Sequence, residues 1–417
     1  MQAVLEGDRL ETAIAKFCTQ AFDGRDRALA RELASGTVRW YILLKAQLEP
    51  LLAKRLKDPM LEALLSLGLY QINFTRIPPH AAVSTSVELA KRVKLGRAAG
   101  LVNGVLRRFI REQETIIATE LPKATQAACP GWLAAELEAT FGDAWVSVAQ
   151  AMNGRAPYSL RVNSQFISRD AFVEQLCSEE IECQSGSTAR HAVTLATSCD
   201  PTQLPGFESG HFVVQDEASQ LISEVVNPEA GQRILDACAA PGGKSMALAD
   251  TMPSLTLVAV ESDSERTQRM RENFERTQVQ ARIVVGDAAK PSDWWDQRPF
   301  DRIVVDAPCT ATGIIRRHPD IKLRRRKGDP QRFAATQLAL LEALWPLLEE
   351  GGELIYCTCS VLRKENDNVV ERFTSNNKSA KVLTINARWG TATTYGRQIT
   401  PGEAGMDGFY YARLGKG

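Results

Sequence analysis

The sequence predicts a multidomain protein: an all-α N-terminal bundle, a small α+β unit, and a C-terminal α/β domain built on a doubly wound sheet. Three observations carry this prediction. Apolar residues recur at helical spacing up to about residue 125. Pro122, Pro130 and Gly131 then interrupt the pattern ahead of a stretch of mixed character. From residue 216 onward short β-branched runs alternate with helical ones, the rhythm of a mostly parallel sheet covered on both faces. The expected domains are 1–125, 126–215 and 216–417.

In the first domain Leu29, Leu33, Val38, Ile42 and Leu43 mark one helix, and Leu61, Leu64, Leu65, Leu69 and Ile72 a second. Pro78-Pro79 precedes a third, from about Ala81 to Lys94. Val102, Val105, Leu106, Phe109 and Ile110 form the stripe of a fourth, with Arg107, Arg108 and Arg111 off it. In the second domain Trp132–Met152 reads as helical. Tyr158–Asn163 and His191–Ala196 read as strands, and Ser168 caps a helix running to about Ser178. In the third, strands are expected at Arg233–Asp236, Leu255–Val260, Arg282–Val285, Arg302–Asp306, Glu353–Cys357 and Phe409–Leu414. Helices are expected at Gly243–Asp250, Ser264–Gln278, Gln331–Leu348 and Lys364–Phe373.

Composition excludes several classes. Of 417 residues 44% are hydrophobic and 24% charged, with 50 basic against 50 acidic side chains, which is neither a disordered nor a collagen-like chain. The longest run without Asp, Glu, Lys or Arg, Ala63–Thr75, is 13 residues, and a membrane span needs about 20. Glu6, Asp8 and Arg9 leave no secretory apolar stretch at the start. Nine cysteines in a chain of this length fit a reducing compartment rather than a disulfide scaffold. A cytoplasmic protein is expected, monomeric and without membrane contact. The neutral total hides two basic stretches. Lys91–Arg111 holds seven basic residues and no acidic one. Gly313–Arg332 holds eight against Asp320 and Asp329. Together they point to a polyanion partner.

The first strand of the α/β domain leads into Ala237-Cys238-Ala239-Ala240-Pro241-Gly242-Gly243-Lys244-Ser245. Small residues there let backbone approach a ligand at a helix N-terminus. A phosphate-binding loop would need glycine where Cys238 stands, and the dinucleotide pattern G-x-G-x-x-G is absent. A nucleoside ligand lacking phosphate, such as S-adenosylmethionine, remains. Glu261, 19 residues past Gly242 at the end of the second strand, suits a ribose. Asp287, after the third strand, suits the adenine edge.

The fourth strand ends in Asp306-Ala-Pro-Cys309-Thr-Ala-Thr-Gly313 and the fifth in Cys357-Thr-Cys359-Ser360. Ligands of open α/β sheets bind beyond the carboxyl ends of the strands, so Asp306, Cys309 and Cys359 should share the nucleoside's cleft. Cys18, Cys129, Cys177, Cys183, Cys199 and Cys357 read as inert, and Cys238 as mainly structural. No Cys or His pair stands at metal-ligand spacing, so no metal is expected.

These motifs resemble the RNA (cytosine-5)-methyltransferases. Asp26-Arg-Ala-Leu-Ala-Arg-Glu-Leu33 and Val102-Asn-Gly-Val-Leu-Arg-Arg108 resemble the NusB-type helical domain. Arg316-Arg317-His318-Pro-Asp-Ile-Lys322 and Asp407-Gly-Phe-Tyr-Tyr-Ala-Arg-Leu414 resemble the bacterial RsmB/Sun branch, which acts on small-subunit rRNA. The branch more often has Asp where Glu261 stands and a small residue where Cys357 stands. The resemblance implies a Rossmann-like class I methyltransferase domain that binds S-adenosylmethionine through Cys238–Lys244, Glu261, Asp287 and Asp306. It also implies 16S rRNA as partner, naked or partly assembled, with 5-methylcytosine formed at a cytosine 967-type site.

C5 of cytosine is a poor nucleophile until a thiolate adds at C6. The resemblance assigns that attack to Cys359, assistance of product release to Cys309, contact with the cytosine N3/N4 edge to Asp306, and pairing with active-site carboxylates to Lys244. Spacing alone leaves open which cysteine attacks, since DNA (cytosine-5)-methyltransferases use the Pro-Cys position. Arg107, Arg108, Arg316, Arg317, His318 and Lys322 are the candidate RNA contacts. Rival readings are the same chemistry on another rRNA or tRNA site, a noncatalytic NusB-like RNA-binding or antitermination factor, and a nicotinamide dehydrogenase, which the missing dinucleotide pattern disfavours.

Overall fold

The structure, a computed structural model, describes residues 1–17 and 24–417; Cys18 lies outside the described residues. The chain forms two compact units. One comprises Met1–Gly154 and Ile315–Lys327, the other Arg155–Ile314 and Gly328–Gly417.

The first unit is helical. Its main helices are Gly24–Leu48, Pro59–Phe74, Pro79–Arg92 and Ala99–Ala118, and the stripes expected at Leu61–Leu69 and Val102–Phe109 supply its core. Asp58 caps the second of these, its carboxylate accepting from the Met60 amide at 2.9 Å. The helix expected over Trp132–Met152 is two helices, Gly131–Phe141 and Trp145–Ala151. Gly142 breaks it by taking a positive φ of 54°.

Residues 315–327 belong to this unit although the sequence places them between strands of the sheet domain. Leu323 packs against a cluster of Val4, Leu10, Ile14 and Val38. Lys322 is 3% exposed. Its ammonium donates to the carbonyls of Arg39 (2.7 Å) and Ala128 (2.9 Å) and to Asn153 Oδ1 (2.7 Å). Burial pulls its pKa down to about 7, but three acceptors call for three N–H groups, which only the charged form supplies. Arg316 is also buried, 4% exposed. This corrects the expectation of RNA contact at Lys322 and Arg316: both face inward, and Lys322 is already spent on internal acceptors. Arg317 and His318 are half-buried, with His318 Nδ1 3.6 Å from Glu11. Arg107 and Arg108 are exposed, and Arg108 pairs with Glu112 at 2.9 Å.

The second unit holds two sheets. The smaller contains β1 (Tyr158–Val162), β2 (Cys183–Ser185), β3 (Ala192–Leu195) and β4 (Phe212–Val214) in the antiparallel order 2-3-1-4. Only β1 and β3 were legible from alternation; β2 and β4 are three residues each, too short to show a period. The helix Arg169–Ser178 is capped as expected, Ser168 Oγ accepting from the Ala171 amide at 3.2 Å.

The larger sheet contains β5 (Arg233–Ala237), β6 (Thr256–Glu261), β7 (Ala281–Val285), β8 (Phe300–Asp306), β9 (Leu348–Thr358), β10 (Ala380–Leu383), β11 (Thr391–Ala392), β12 (Arg397–Ile399) and β13 (Phe409–Lys416). The order is 11-12-13-9-8-5-6-7, with β10 on β13. Strands β5 to β9 pair in parallel, and β13 is antiparallel to β9. All six expected strands are present. The last of the six is the one that reverses direction. The helix expected over Gln331–Leu348 runs Asp329–Leu344 and yields to a turn at Pro346, so that Leu348 opens β9.

Side-chain alternation divides the core. Ile303, Val305, Leu354 and Tyr356 face one side. Val304, Ile355 and Cys357 face the other, with Ala247 and Leu248 of the helix Gly243–Thr251. That helix also anchors the small sheet. Arg161 of β1 meets Asp250 at 2.9 Å, with side chains 3% and 2% exposed. Asp250 Oδ1 accepts from Ser164 Oγ at 2.8 Å and from the Gln165 amide at 3.2 Å. Arg161→Leu leaves a buried carboxylate without its cation and should cost about 3–5 kcal/mol. Arg161→Leu/Asp250→Leu should recover most of that loss. Denaturant melts compare the two, and equal destabilisation would show that charge pairing is not what holds this junction.

Candidate active site

The order of strands sets the site. The connections reverse direction between β5 and β8, so the segments leaving both carboxyl ends splay apart and open a crevice. Asp306 follows Val305 and lies on the same face as Val304 and Cys357, the face covered by the helix Gly243–Thr251. Lys244, in the first turn of that helix, therefore reaches Asp306: Nζ is 2.6 Å from Oδ2. Lys244 is 7% exposed. Burial is the largest single influence and opposes its charge, but Asp306, Cys357 and Asp236 together outweigh it and hold the ammonium above the ordinary lysine range. Its Nζ also lies 5.1 Å from the centre of the Phe409 ring. Cys357 Sγ donates to Asp306 Oδ1 at 3.7 Å. Both oxygens of Asp306 are thus engaged on the protein side. Cys357 is buried, and burial followed by the Asp306 charge holds its thiol protonated.

Two loops meet beyond β8 and β9. Cys309 Sγ and Cys359 Sγ lie 3.5 Å apart. Cys359 is half-buried and Cys309 buried. The Cys309 thiol is raised well above the usual cysteine range, first by its contact with Cys359 and then by burial. The loops are joined by backbone as well: the Gly313 amide donates to Cys359 O at 2.9 Å, and the Gly408 amide to Gly313 O at 2.9 Å. A Cβ on Gly313 would lie 2.0 Å from Gly408 O, so only glycine allows this closure.

The ligand turn lies beside them. Asp236, the penultimate residue of β5, accepts from Ser245 Oγ at 2.6 Å through Oδ2, while its buried Oδ1 has no hydrogen-bond partner. Desolvation raises its pKa to about 6. Cys238 takes a positive φ of 62° in the turn, and burial pushes its thiol up to about 12. The Ala239 amide bonds Val260 O at 2.9 Å, tying the turn to the end of β6. Glu261 is 3% exposed. Its Oε1 accepts from the Asp263 amide at 3.0 Å. Its Oε2 accepts no hydrogen bond, although the Arg266 guanidinium stands 3.0 Å away as an ion pair. Asp287 follows β7, which pairs with β6, and is half exposed. A buried carboxylate oxygen left without a donor at a strand end is what a ribose hydroxyl would satisfy, and the Ala239–Gly243 turn has small residues and a helix N-terminus. The residues therefore fit an adenosyl ligand.

One residue that pattern did not single out joins the two cysteine loops. Glu365, fully buried, accepts from the Thr310 amide (2.7 Å), Thr310 Oγ1, Ser360 Oγ (2.7 Å) and Gln337 Nε2 (3.4 Å). In sequence it lies within Arg363-Lys364-Glu365-Asn366-Asp367, which reads as a solvated charged face. Among the described residues no cluster of three His, Cys, Asp or Glu could hold a metal ion, and no helix is long and apolar enough to cross a membrane.

Fold and site together define a Rossmann-like methyltransferase preceded by a ferredoxin-like unit and a NusB-type helical domain. The chain matches the family of 16S rRNA methyltransferase RsmB/F over residues 223–415. It also matches the NusB family over 2–111 and the RsmF/B-like methyltransferase ferredoxin-like domain over 129–202. It is 42% identical to the ribosomal RNA small subunit methyltransferase B of Pseudomonas putida, covering 99% of this chain and 96% of that protein. With the protein of the same name from Vibrio vulnificus it is 40% identical, covering 100% and 97%. A crystal structure of a methyltransferase homolog from Pyrococcus horikoshii superposes with a TM-score of 0.62 at 25% identity, over 70% of this chain and 97% of that one. The protein belongs to the RsmB/F family of 16S rRNA methyltransferases.

Gly242 shows what the turn demands. Its φ is +96°, and a Cβ there would meet Phe274 Cε1 at 2.5 Å and Met270 Cγ at 3.1 Å. The glycine is required by packing against the helix Ser264–Arg276 rather than by a ligand's approach alone. Gly242→Val should therefore lower stability by about 2 kcal/mol or more as well as weaken cofactor binding. A thermal melt and calorimetry with S-adenosylmethionine test this, and an unchanged melting temperature would contradict the packing.

Proposed function

We propose that this protein transfers a methyl group from S-adenosylmethionine to C5 of a cytosine in small-subunit rRNA, through a transient bond between Cys359 and C6. The observation that carries the reading is the thiol pair, 3.5 Å apart, on the strand ends next to the Asp306–Lys244 ion pair. When bound, S-adenosylmethionine supplies an electrophilic methyl group. The residues that would hold it are Cys238–Lys244, Glu261 and Asp287, with Asp306 at the boundary between the two ligands.

In this mechanism Cys359, the more accessible of the two thiols, loses its proton to solvent and its sulfur adds to C6. N3 gains a proton from solvent as the ring becomes an enamine. Asp306, paired with Lys244, accepts hydrogen bonds from the N4 amino group and from N3–H, and so favours the adduct. After C5 is methylated its remaining hydrogen leaves as a proton to water, the electron pair restores the C5–C6 double bond, Cys359 departs as thiolate, and N3 returns its proton to solvent. Cys309, a protonated thiol beside that sulfur, stabilises the departing charge. A base within a helix is out of reach, so the target is flipped or lies in a loop. The 967-type cytosine is the target we favour, because the relatives that match end to end carry the name of small-subunit methyltransferase B. Exposed basic residues such as Arg107 and Arg108 supply phosphate contacts.

Cys359→Ala should lose turnover and form no covalent RNA adduct. Cys309→Ala should still attack and methylate but release slowly, leaving a protein–RNA band on a denaturing gel. The opposite pattern would exchange the roles, and turnover retained in both would exclude covalent catalysis by this pair. Bisulfite sequencing of RNA from a strain lacking the gene should show one cytosine of small-subunit rRNA newly unprotected; a change confined to tRNA would redirect the substrate. Arg107→Ala/Arg108→Ala should weaken RNA binding and lower the slope of log K against log salt by about 0.7–0.9 per lost contact. An unchanged slope would remove this face from the RNA path.

A further inference from the structure

The Glu365 network has a direction. Thr310, Ser360 and Thr312 carry one hydroxyl proton each. Those of Thr310 and Ser360 go to the Glu365 carboxylate. Ser360 Oγ then accepts from the Leu362 amide at 3.1 Å and lies 3.1 Å from Thr312 Oγ1, which itself accepts from the Val361 amide at 3.1 Å. The Thr310 amide can only donate, and so can Gln337 Nε2, which also holds Pro308 O at 2.9 Å. Four donors therefore converge on one carboxylate, and they come from both sides of the thiol pair. Thr310 and Pro308 flank Cys309, while Ser360 follows Cys359. These contacts favour the carboxylate form, while burial, the larger effect, raises the Glu365 pKa.

We propose that Glu365 is a positioning residue for product release, holding the Cys309 thiol against the sulfur of Cys359 by accepting hydrogen bonds from both loops at once. The inference rests on the covalent reading given above. As the C6–S bond breaks, its electron pair stays on Cys359 Sγ, and the C5 proton goes to water. Cys309 S–H donates a hydrogen bond to the charged sulfur without giving up its proton, so Cys309 has to be a thiol at that moment. The Glu365 charge works in the same direction, raising the Cys309 thiol further. Glu365 is fully buried among groups of the two loops, so its action passes through the two cysteines.

Glu365→Gln keeps the shape, removes the charge and turns one acceptor into a donor facing donors. In the purified full-length protein this variant should bind S-adenosylmethionine and RNA within threefold of the parent, while kcat falls about a hundredfold. The covalent protein–RNA band should accumulate during turnover, as in Cys309→Ala, and Glu365→Gln/Cys309→Ala should be no slower than Cys309→Ala alone. A purely structural role would weaken ligand binding and the melting temperature together without trapping the adduct. A folded Glu365→Gln protein with parental kcat overturns the proposal. A loss of kcat with no adduct also overturns it, by moving the effect to the attack step. If Glu365→Gln does not fold, Thr310→Val removes one hydroxyl donor at nearly constant volume and is read by the same two criteria. Should the parent and Cys309→Ala form no adduct under any condition, it is the covalent reading that fails. The Glu365 proposal by itself fails only where those controls behave and this variant does not.

Discussion

The parallel pairing of β5 with β8 is the constraint from which the active site follows. Its register sets Asp236 opposite Val304 and Ala237 opposite Val305, so both strands end at the same level. Because β6 and β7 extend the sheet on one side and β9 on the other, the segments leaving β5 and β8 must diverge, and the crevice between them is open to ligands. β9 pairs with β8 so that Cys357 is opposite Asp306. The two-residue period then places Cys357 against the carboxylate, and the chain beyond it brings Cys359 to Cys309. A register slip of one residue in β9 would turn Cys357 to the opposite face and separate the thiols.

Charge gives the crevice its chemistry. Asp236 and Glu261 are buried at two strand ends and Asp306 is half-buried at a third; the Lys244 ammonium, drawn in by Asp306, and the Arg266 guanidinium beside Glu261 are the cations that offset them. After burial, the same carboxylates work against ionisation of the thiols at Cys238 and Cys357, while Cys309 is held protonated by its contact with Cys359, by burial and by Glu365. Of the two paired thiols Cys359 is the less buried, which supports giving it the nucleophile's role in the proposed reaction.

The segment 315–327 illustrates how composition misleads. Its eight-to-two excess of base over acid, counted across Gly313–Arg332, looks like a polyanion-binding face. Yet Lys322 sits inside the helical unit as a donor to three internal acceptors, and Arg316 is buried with it. Backbone carbonyls left over at helix ends, such as Ala128 O, need donors, and a long side chain from a distant part of the chain can supply them. The charge count cannot distinguish a lysine that meets phosphate from one that meets carbonyl groups.

Periodicity and turn chemistry by themselves determined the helical bundle, the six strands of the α/β domain and the small-residue turn at 238–244. These depend on local sterics and on the burial of alternate residues, which a chain writes into its own order. The candidate cysteines and carboxylates were legible for a related reason, since each lies where a strand runs out. Tertiary structure decided what depends on distant partners: the reversed direction of β13, the short strands β2 and β4, the partition of residues 315–327, and above all Glu365. Glu365 is buried because Thr310, Ser360 and Gln337, up to 55 residues away, turn their donors toward it. Sequence shows that an acidic side chain is present there; only the folded chain supplies the donors that satisfy it in a buried place.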